Sequence, residues 1–146
     1  MSLINKSLIR RDAKSGRYSI HELLRQYAEE RSKAVDEFEA TKNQHTAYFA
    51  NFMADRTADV KGKRQIDSLK EIAVDFDNIQ LAWRNATESL DFHALDQIME
   101  TLALFCDIRS FFLLSIELFE DTVKILTDHS NEAIVIFNRL QLRYIQ

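Results

Sequence analysis

Proline is absent from this 146-residue sequence, glycine occurs twice and cysteine once. With so few residues to punctuate the backbone, Gly16 and Gly62 mark the two places where a positive φ is expected. The single cysteine, Cys106, excludes an intramolecular disulfide and any thiolate zinc cluster. Lying in the apolar run LALFCDI, it reads as a buried, inert thiol, which suits a reducing cytoplasm. No apolar run approaches the ~20 residues that cross a bilayer, so a membrane-spanning helix is excluded and no membrane partner is expected. The N-terminal MSLINKSLIRR lacks the apolar h-region and small-residue cleavage site of a signal peptide, and a cytoplasmic location is expected. The last residues, RLQLRYIQ, stop inside a helical pattern without a cap, so the chain reads as a piece of a longer protein.

The usual catalytic signatures are missing too. There is no G-x-x-x-x-G-K-[ST] loop, no G-x-G-x-x-G, no H-E-x-x-H and no G-x-S-x-G. Histidines 21, 45, 93 and 129 lack metal-ligand spacing, so neither a catalytic residue nor a metal site is expected. Asp75 and Asp77 resemble paired carboxylates, yet at i and i+2 of a helix they point about 200° apart and read as surface charge. His45 lies seven residues from both Phe38 and Phe52 on an apolar stripe, the place of a hydrogen-bonded core or interface histidine. His93 and His129, near expected helix ends, are assigned no role. Trp83, in IQLAWRNA, reads as a core anchor between helices.

What is present is an apolar and charged composition, 46% and 29%, typical of a globular protein. A chain of this size buries roughly 70% of its unfolded surface, enough for a real core. Residues 1–33 hold eight Lys/Arg against four Asp/Glu, a net of +4, which leaves −8 for residues 34–146 of a chain whose total is −4. The strand-like runs SLIRRD (7–12) and RYSI (17–20) flank AKSG and predict a β-hairpin with Gly16 in its turn. Such a hairpin is marginal alone, and the helical remainder is the one surface in the chain for it to pack on.

From Glu22 the period becomes helical, with Leu23, Leu24, Tyr27 and Ala28 sharing a face. A second helix is expected from about Ala34 to Asp59, with Val35, Phe38, His45, Tyr48, Phe49, Phe52 and Met53 on its stripe and Gly62 as its stop. A third runs from about Arg64 to Glu88 through Ile66, Leu69, Ala73, Phe76, Ile79, Trp83 and Ala86. Two more stripes, Phe92 to Phe105 and Phe112 to Leu126, precede DHSN and a last helical segment. Asp91 and Asn131 are placed as N-caps. The motifs TLALFCDI and RLQLRYIQ lie 38 residues apart, within the ~34–47-residue periods of helix-pair repeats. An irregular helical bundle is the alternative. The expected fold is mainly α, an N-terminal hairpin followed by antiparallel helix pairs.

His21 stands where the strand pattern hands over to the helix. A side chain there lies near unpaired N–H groups and the positive end of the helix dipole, which favours a nearby anion such as phosphate. A cap of the helix, or a bond to the hairpin backbone, is the other role open to it.

The stretch SLIRRD…GRYSIHELLRQYAEE resembles the last strands and final helix of the winged-helix domain in STAND-class signalling ATPases, the NB-ARC-like switch proteins that include large bacterial transcription regulators. In that family a Met-His-Asp triplet ends the wing; here Ile20, His21 and Glu22 fill it, and Leu23, Leu24, Arg25, Tyr27 and Ala28 match the helix residues that come after the triplet. HTAYF (45–49) and DFDNIQLAWRNATES (75–89) look like the segment that joins the winged helix to tetratricopeptide-like repeats in the bacterial members, extending the resemblance over roughly residues 7–127. It divides the chain into the end of a winged helix (1–33), linking long helices (34–90) and truncated tetratricopeptide-like repeats (91–146).

The resemblance implies that His21 touches the β-phosphate of ADP in a full-length parent and holds a switch closed, with Ile20 and Glu22 departing from the family's Met and Asp. Arg10, Arg11 and Arg17 are candidate phosphate contacts. The phosphate loop, metal-binding acid and arginine sensor of such proteins lie upstream of the winged helix, and none is in this sequence, so the segment is not itself expected to be an enzyme or to hold a cofactor. ADP or ATP would belong to the parent. The implied partners are an upstream nucleotide-binding domain in cis and a protein or effector ligand on the helical array. Nucleic acid is not expected through this acidic segment, although a winged helix using Lys6, Arg10, Arg11, Lys14 and Arg17 on phosphates with a helical dimerisation body is one alternative. A self-contained tetratricopeptide-like adaptor is the other.

Overall fold

The computed structural model describes residues 8–13, 16–34 and 37–127. Their elements run β1 (Ile9–Arg11), β2 (Tyr18–Ile20), α1 (Glu22–Ala34), α2 (Phe38–Val60), α3 (Gln65–Val74), α4 (Phe76–Glu88), α5 (Phe92–Ile108) and α6 (Phe112–Thr127). The fold is mainly helical with one small hairpin. No helix among the described residues is long and apolar enough to cross a membrane. The chain divides into two compact units, Met1–Thr41 and Lys42–Gln146. The boundary expected at 90/91 falls inside the second of these, on the turn between α4 and α5. The Asn131 cap and the repeat copy at 139–146 lie outside the described residues.

In the first unit β1 and β2 pair antiparallel in the register Ile9↔Ile20, Arg10↔Ser19, Arg11↔Tyr18. The turn needs Gly16, whose φ is +71°, and closes with Gly16 N–H donating to Asp12 O and Asp12 N–H to Arg17 O. Because opposite residues of a ladder share a face, Ile9, Ile20, Arg11 and Tyr18 lie on one side and Arg10 and Ser19 on the other. Helix α1 is laced by charge pairs, Glu22 with Arg25, Arg25 with Glu29, and Glu29 with Lys33. None of the described residues of this unit is buried. The apolar face expected on α1 is largely open, with Leu23 69% and Tyr27 61% exposed.

The core belongs to the second unit. Its buried apolar residues come from α2 through α6, and Trp83, Phe105, Met53, Ile72, Ile79 and Leu95 are among the largest of them. Each such side chain contributes about 1.5–3 kcal/mol by leaving water. The buried stripe of α2 is Thr46, Phe49, Ala50, Met53 and Val60; Tyr48, expected on it, is 63% exposed.

The helix expected over 64–88 is broken at Asp75, which leaves helical geometry (φ −108°, ψ 14°) and separates α3 from α4. Asn78 Nδ2 donates to Asp75 Oδ1 at 3.1 Å, a side-chain bond at the start of α4. Asp75 is therefore half-buried at a break rather than surface charge; Asp77 is exposed. The break changes which residues face inward. Ser68, Leu69 and Ile72 are the buried residues of α3, while Ile66 and Ala73 point out. Phe76 begins α4 against Phe105 and Phe111, with ring centroids 4.9 and 5.8 Å away.

Helices α4 and α5 each end with a non-glycine residue in the left-handed region, Leu90 (φ 55°) and Ser110 (φ 58°). The hydrogen bonds are those of a Schellman close in both: Asp91 N–H to Ala86 O and Leu90 N–H to Thr87 O, then Phe111 N–H to Cys106 O and Ser110 N–H to Asp107 O. Asp91 also caps α5, accepting from the Ala94 N–H at 3.0 Å as the sequence predicts. Gly62, by contrast, has no positive φ; a Cβ there would come within 2.9 Å of the Ala58 carbonyl oxygen, so close approach demands the glycine.

These two short closes reverse the chain twice, making α4 and α5 antiparallel, and α5 and α6 likewise, and all three helices pack on one another. Trp83, wholly buried, donates its Nε1–H to Leu118 O at 3.3 Å and meets Phe119 edge-on at 5.2 Å. One turn further on, the hydroxyls of Thr87 and Thr122 are 3.0 Å apart. Both links join residues 35 apart, so α4 and α6 run parallel in the register of a helix-pair period. On α6 the buried side is Ser115, Leu118, Phe119, Thr122 and Leu126, and Phe112 and Ile116, expected inside, are exposed.

Candidate functional site at the strand-to-helix junction

Ile20, His21 and Glu22 sit where β2 passes into α1. His21 is the N-cap. Its carbonyl accepts the first helical bonds, from Leu24 N–H at 2.9 Å and Arg25 N–H at 3.0 Å, while its Nδ1 accepts from Leu23 N–H at 3.3 Å. A neutral imidazole that accepts through Nδ1 carries its proton on Nε2, so the cap fixes the tautomer and leaves Nε2–H as the ring's donor. The imidazole is exposed. Capping and donating to an anion, which stand as alternatives in the sequence, use different nitrogens and are compatible.

Glu22 is occupied by its own helix. Arg25 donates to both carboxylate oxygens, Nη2 at 2.6 Å and Nε at 2.8 Å, and Gln26 Nε2 donates at 3.0 Å. The Arg25 hydrogen bonds foremost hold the Glu22 carboxyl down to about 2, and the same pairing raises Arg25. Glu22 thus sets a permanent negative charge at the positive end of the α1 dipole. Arg25 is the cation bonded at this junction. Its i,i+3 spacing from Glu22 was the signal for that pair.

Of the three candidate phosphate contacts, Arg10 and Arg11 lie on opposite faces of the hairpin. Arg11 shares the hairpin face of Tyr18, with its guanidinium 5.9 Å from the ring centroid and its Nε donating to Gly16 O at 3.4 Å. Arg10 lies on the opposite face, beside Ser19. Arg17 precedes β2, its carbonyl in the turn. Ile20, 42% exposed, shares the Tyr18 face.

Elsewhere, His45 is partly buried against Phe49, with ring centroids 4.8 Å apart. Burial lowers its pKa, and a hydrogen bond with Asn78 opposes that in part. Its Nδ1 is buried without a hydrogen-bond partner among the described residues. Cys106 is buried, and burial first, then the neighbouring Asp107 charge, pushes its thiol up to about 12. Among the described residues no His, Cys, Asp or Glu cluster has the geometry of a metal site. Compared with known proteins, the chain matches no family model, no curated protein and no solved structure.

Proposed function

We propose that this chain is a regulatory and protein-interaction segment of a STAND-type nucleotide-switch signalling protein, a bacterial transcription regulator in class, acting in the cytoplasm. In this reading the hairpin and α1 are the end of a winged helix. His21 reports ADP bound to an upstream domain of the parent, and the helical body receives a partner or effector. The observation that carries the reading is the His21 cap: Nδ1 is committed to the Leu23 N–H, so the ring offers a donor of fixed tautomer. A ligand shifts such a switch only through contacts that differ between its two states. The Nε2–H would be one, made in the ADP-bound closed form alone.

The test is a pair of substitutions in the full-length parent. His21→Asn keeps a strong N-cap but loses the imidazole N–H, whereas His21→Ala loses both. A hydrogen bond to a charged group is worth roughly 1.5–3 kcal/mol, so both variants should release ADP about ten- to a hundredfold faster and raise basal output. Only His21→Ala should also loosen α1. An ADP off-rate unchanged in His21→Asn returns His21 to a cap and removes the reading's support.

A self-contained tetratricopeptide-like adaptor is the second reading, favoured by the 35-residue register of α4 on α6 and by the confinement of the core to the helical body. It requires no nucleotide link. An adaptor would bind its partner equally with either His21 variant.

A further inference from the structure

The parallel helices α4 and α6 leave an open groove of about 180 Å³ between them. Its floor is built from Trp83, Thr87, Leu118 and Thr122, all buried, and is closed by the indole bond to Leu118 O and the Thr87–Thr122 hydroxyl contact. Drug-sized ligands and cofactors occupy pockets of about 300–1,000 Å³. A cavity of about 150 Å³ takes one benzene-sized group. The groove is therefore of the size that holds one long side chain.

Charge decides which. Among the described residues the rim carries Glu88 on the α4 side, Glu117 and Asp121 on the α6 side, and a single cation, Arg84. The 35-residue register puts Glu88 and Asp121 on opposite rims, over the Thr87–Thr122 pair. Glu88 also pairs with Lys42 at 2.9 Å, and Asp121 with Lys124 at 3.4 Å; neither lysine lines the groove. The second of these pairs is exposed on both sides, so it is weak and readily exchanged for another cation. Glu117 has no ion-pair partner among the described residues. The complement to this rim is a cation, and the apolar and hydroxyl side chains beneath it suit an organic one carried on a stem. Ile125, on the α6 side of the lining, supplies apolar surface for that stem.

We propose that the α4–α6 groove docks an arginine or lysine side chain presented by an extended segment of a partner protein. The proposal rests on the reading of the helical body as the partner-binding part and names the site and the chemistry it selects.

Trp83 is the one tryptophan of the sequence and lies buried directly beneath the groove, where a bound cation changes the field at the indole, so its emission reports occupancy without a label. The probe is a glycine-serine peptide with two arginines and two leucines, titrated into the full chain, with the same peptide carrying citrulline in place of arginine as the uncharged twin. The expected result is a saturable change in Trp83 emission with the arginine peptide and none with the citrulline peptide. Glu117→Gln combined with Asp121→Asn should weaken binding at least tenfold. Asp55→Asn combined with Asp67→Asn, which removes the same charge at exposed sites that do not line the groove, should leave it within twofold.

Equal weakening by both pairs of substitutions, binding of the citrulline peptide, or no saturation at millimolar peptide overturns the proposal. Equal melting temperatures for the variants show that the groove and not the fold was changed. Once a partner is in hand, one that binds the body undiminished by Glu117→Gln/Asp121→Asn overturns the groove and leaves the interaction reading standing; one that fails to bind the body at all overturns that reading.

Discussion

The hairpin-and-helix unit and the helical body are written in the same binary pattern, yet only one of them has an interior. Among the described residues of the body, twenty-one apolar ones are buried, Trp83 and Phe105 completely. In the first unit Leu23 and Tyr27 repeat at the spacing of a helix face, as Trp83 and Thr87 do in α4, but no described residue there is buried. An apolar stripe is a demand for a surface, and it contributes to stability only where another element answers it. Helix α4 is answered by α5 and α6. Helix α1 is held instead by its own ion pairs and by the His21 cap. Exposed pairs of this sort are worth about 0–1 kcal/mol each, against about 1.5–3 kcal/mol for each large side chain buried in the body.

The largest expected effect comes from that contrast. Trp83→Ala removes a fully buried indole and its bond to Leu118 O, and should destabilise the body by about 3–5 kcal/mol in urea denaturation. Tyr27→Ala, at an exposed aromatic of α1, should move the same transition by no more than about 0.5 kcal/mol. A Tyr27→Ala loss comparable to that of Trp83→Ala would erase the distinction between the two units.

Reactivity sharpens the same comparison. Cys106 lies wholly inside the body with its thiol pushed up to about 12, so very little of the reactive thiolate is present at pH 8. A disulfide reagent such as Ellman's should label the native chain roughly a thousandfold more slowly than the chain in denaturant. Rapid labelling under native conditions would mean that the body opens around α5.

A smaller change in the opposite direction is expected at Ser110, exposed and left-handed at the end of α5. Ser110→Gly relieves that conformation without losing buried surface and should stabilise the body by about 0.5–1 kcal/mol. Leu90, in the equivalent position after α4, packs against the core, so the same substitution there should fail to stabilise.

The smallest effect is one of pH. Burial, chiefly, holds His45 below its ordinary value of 6.5. Its contribution to stability is therefore complete above pH 6.5 and is lost as the pH falls below that value toward the lowered folded one, because the unfolded chain takes up the proton first. The urea midpoint should drop between pH 7.5 and 5.5, and His45→Asn should flatten that slope. An identical slope in the variant would place the dependence on other groups.

Much of the candidate site was legible residue by residue. The strand-to-helix change around His21, the turn at Gly16 and the Asp91 cap each depend on neighbours within a few positions, and the structure has all three. That the His21 cap uses Nδ1 was not legible, because it depends on where the Leu23 N–H lies relative to the ring. That Arg10 and Arg11, both candidate phosphate contacts, lie on opposite faces of the hairpin follows from ladder geometry, since neighbouring strand residues point to opposite sides.

Sequence by itself determined the helical class, the hairpin, the lone thiol's place in an apolar run and Trp83 as an anchor, because periodicity and local capping chemistry are properties of short segments. Tertiary structure alone decided that the helix over 64–88 breaks at Asp75, that Leu90 and Ser110 rather than Gly62 take positive φ, and that α4 meets α6 in a 35-residue register. It also decided which apolar residues are inside. Ile66, Tyr48 and Phe112 obey the helical period as well as Ile72, Phe49 and Phe119 do, but a stripe is wider than the surface that covers it, and only the positions of neighbouring helices determine which of its edges is left in water.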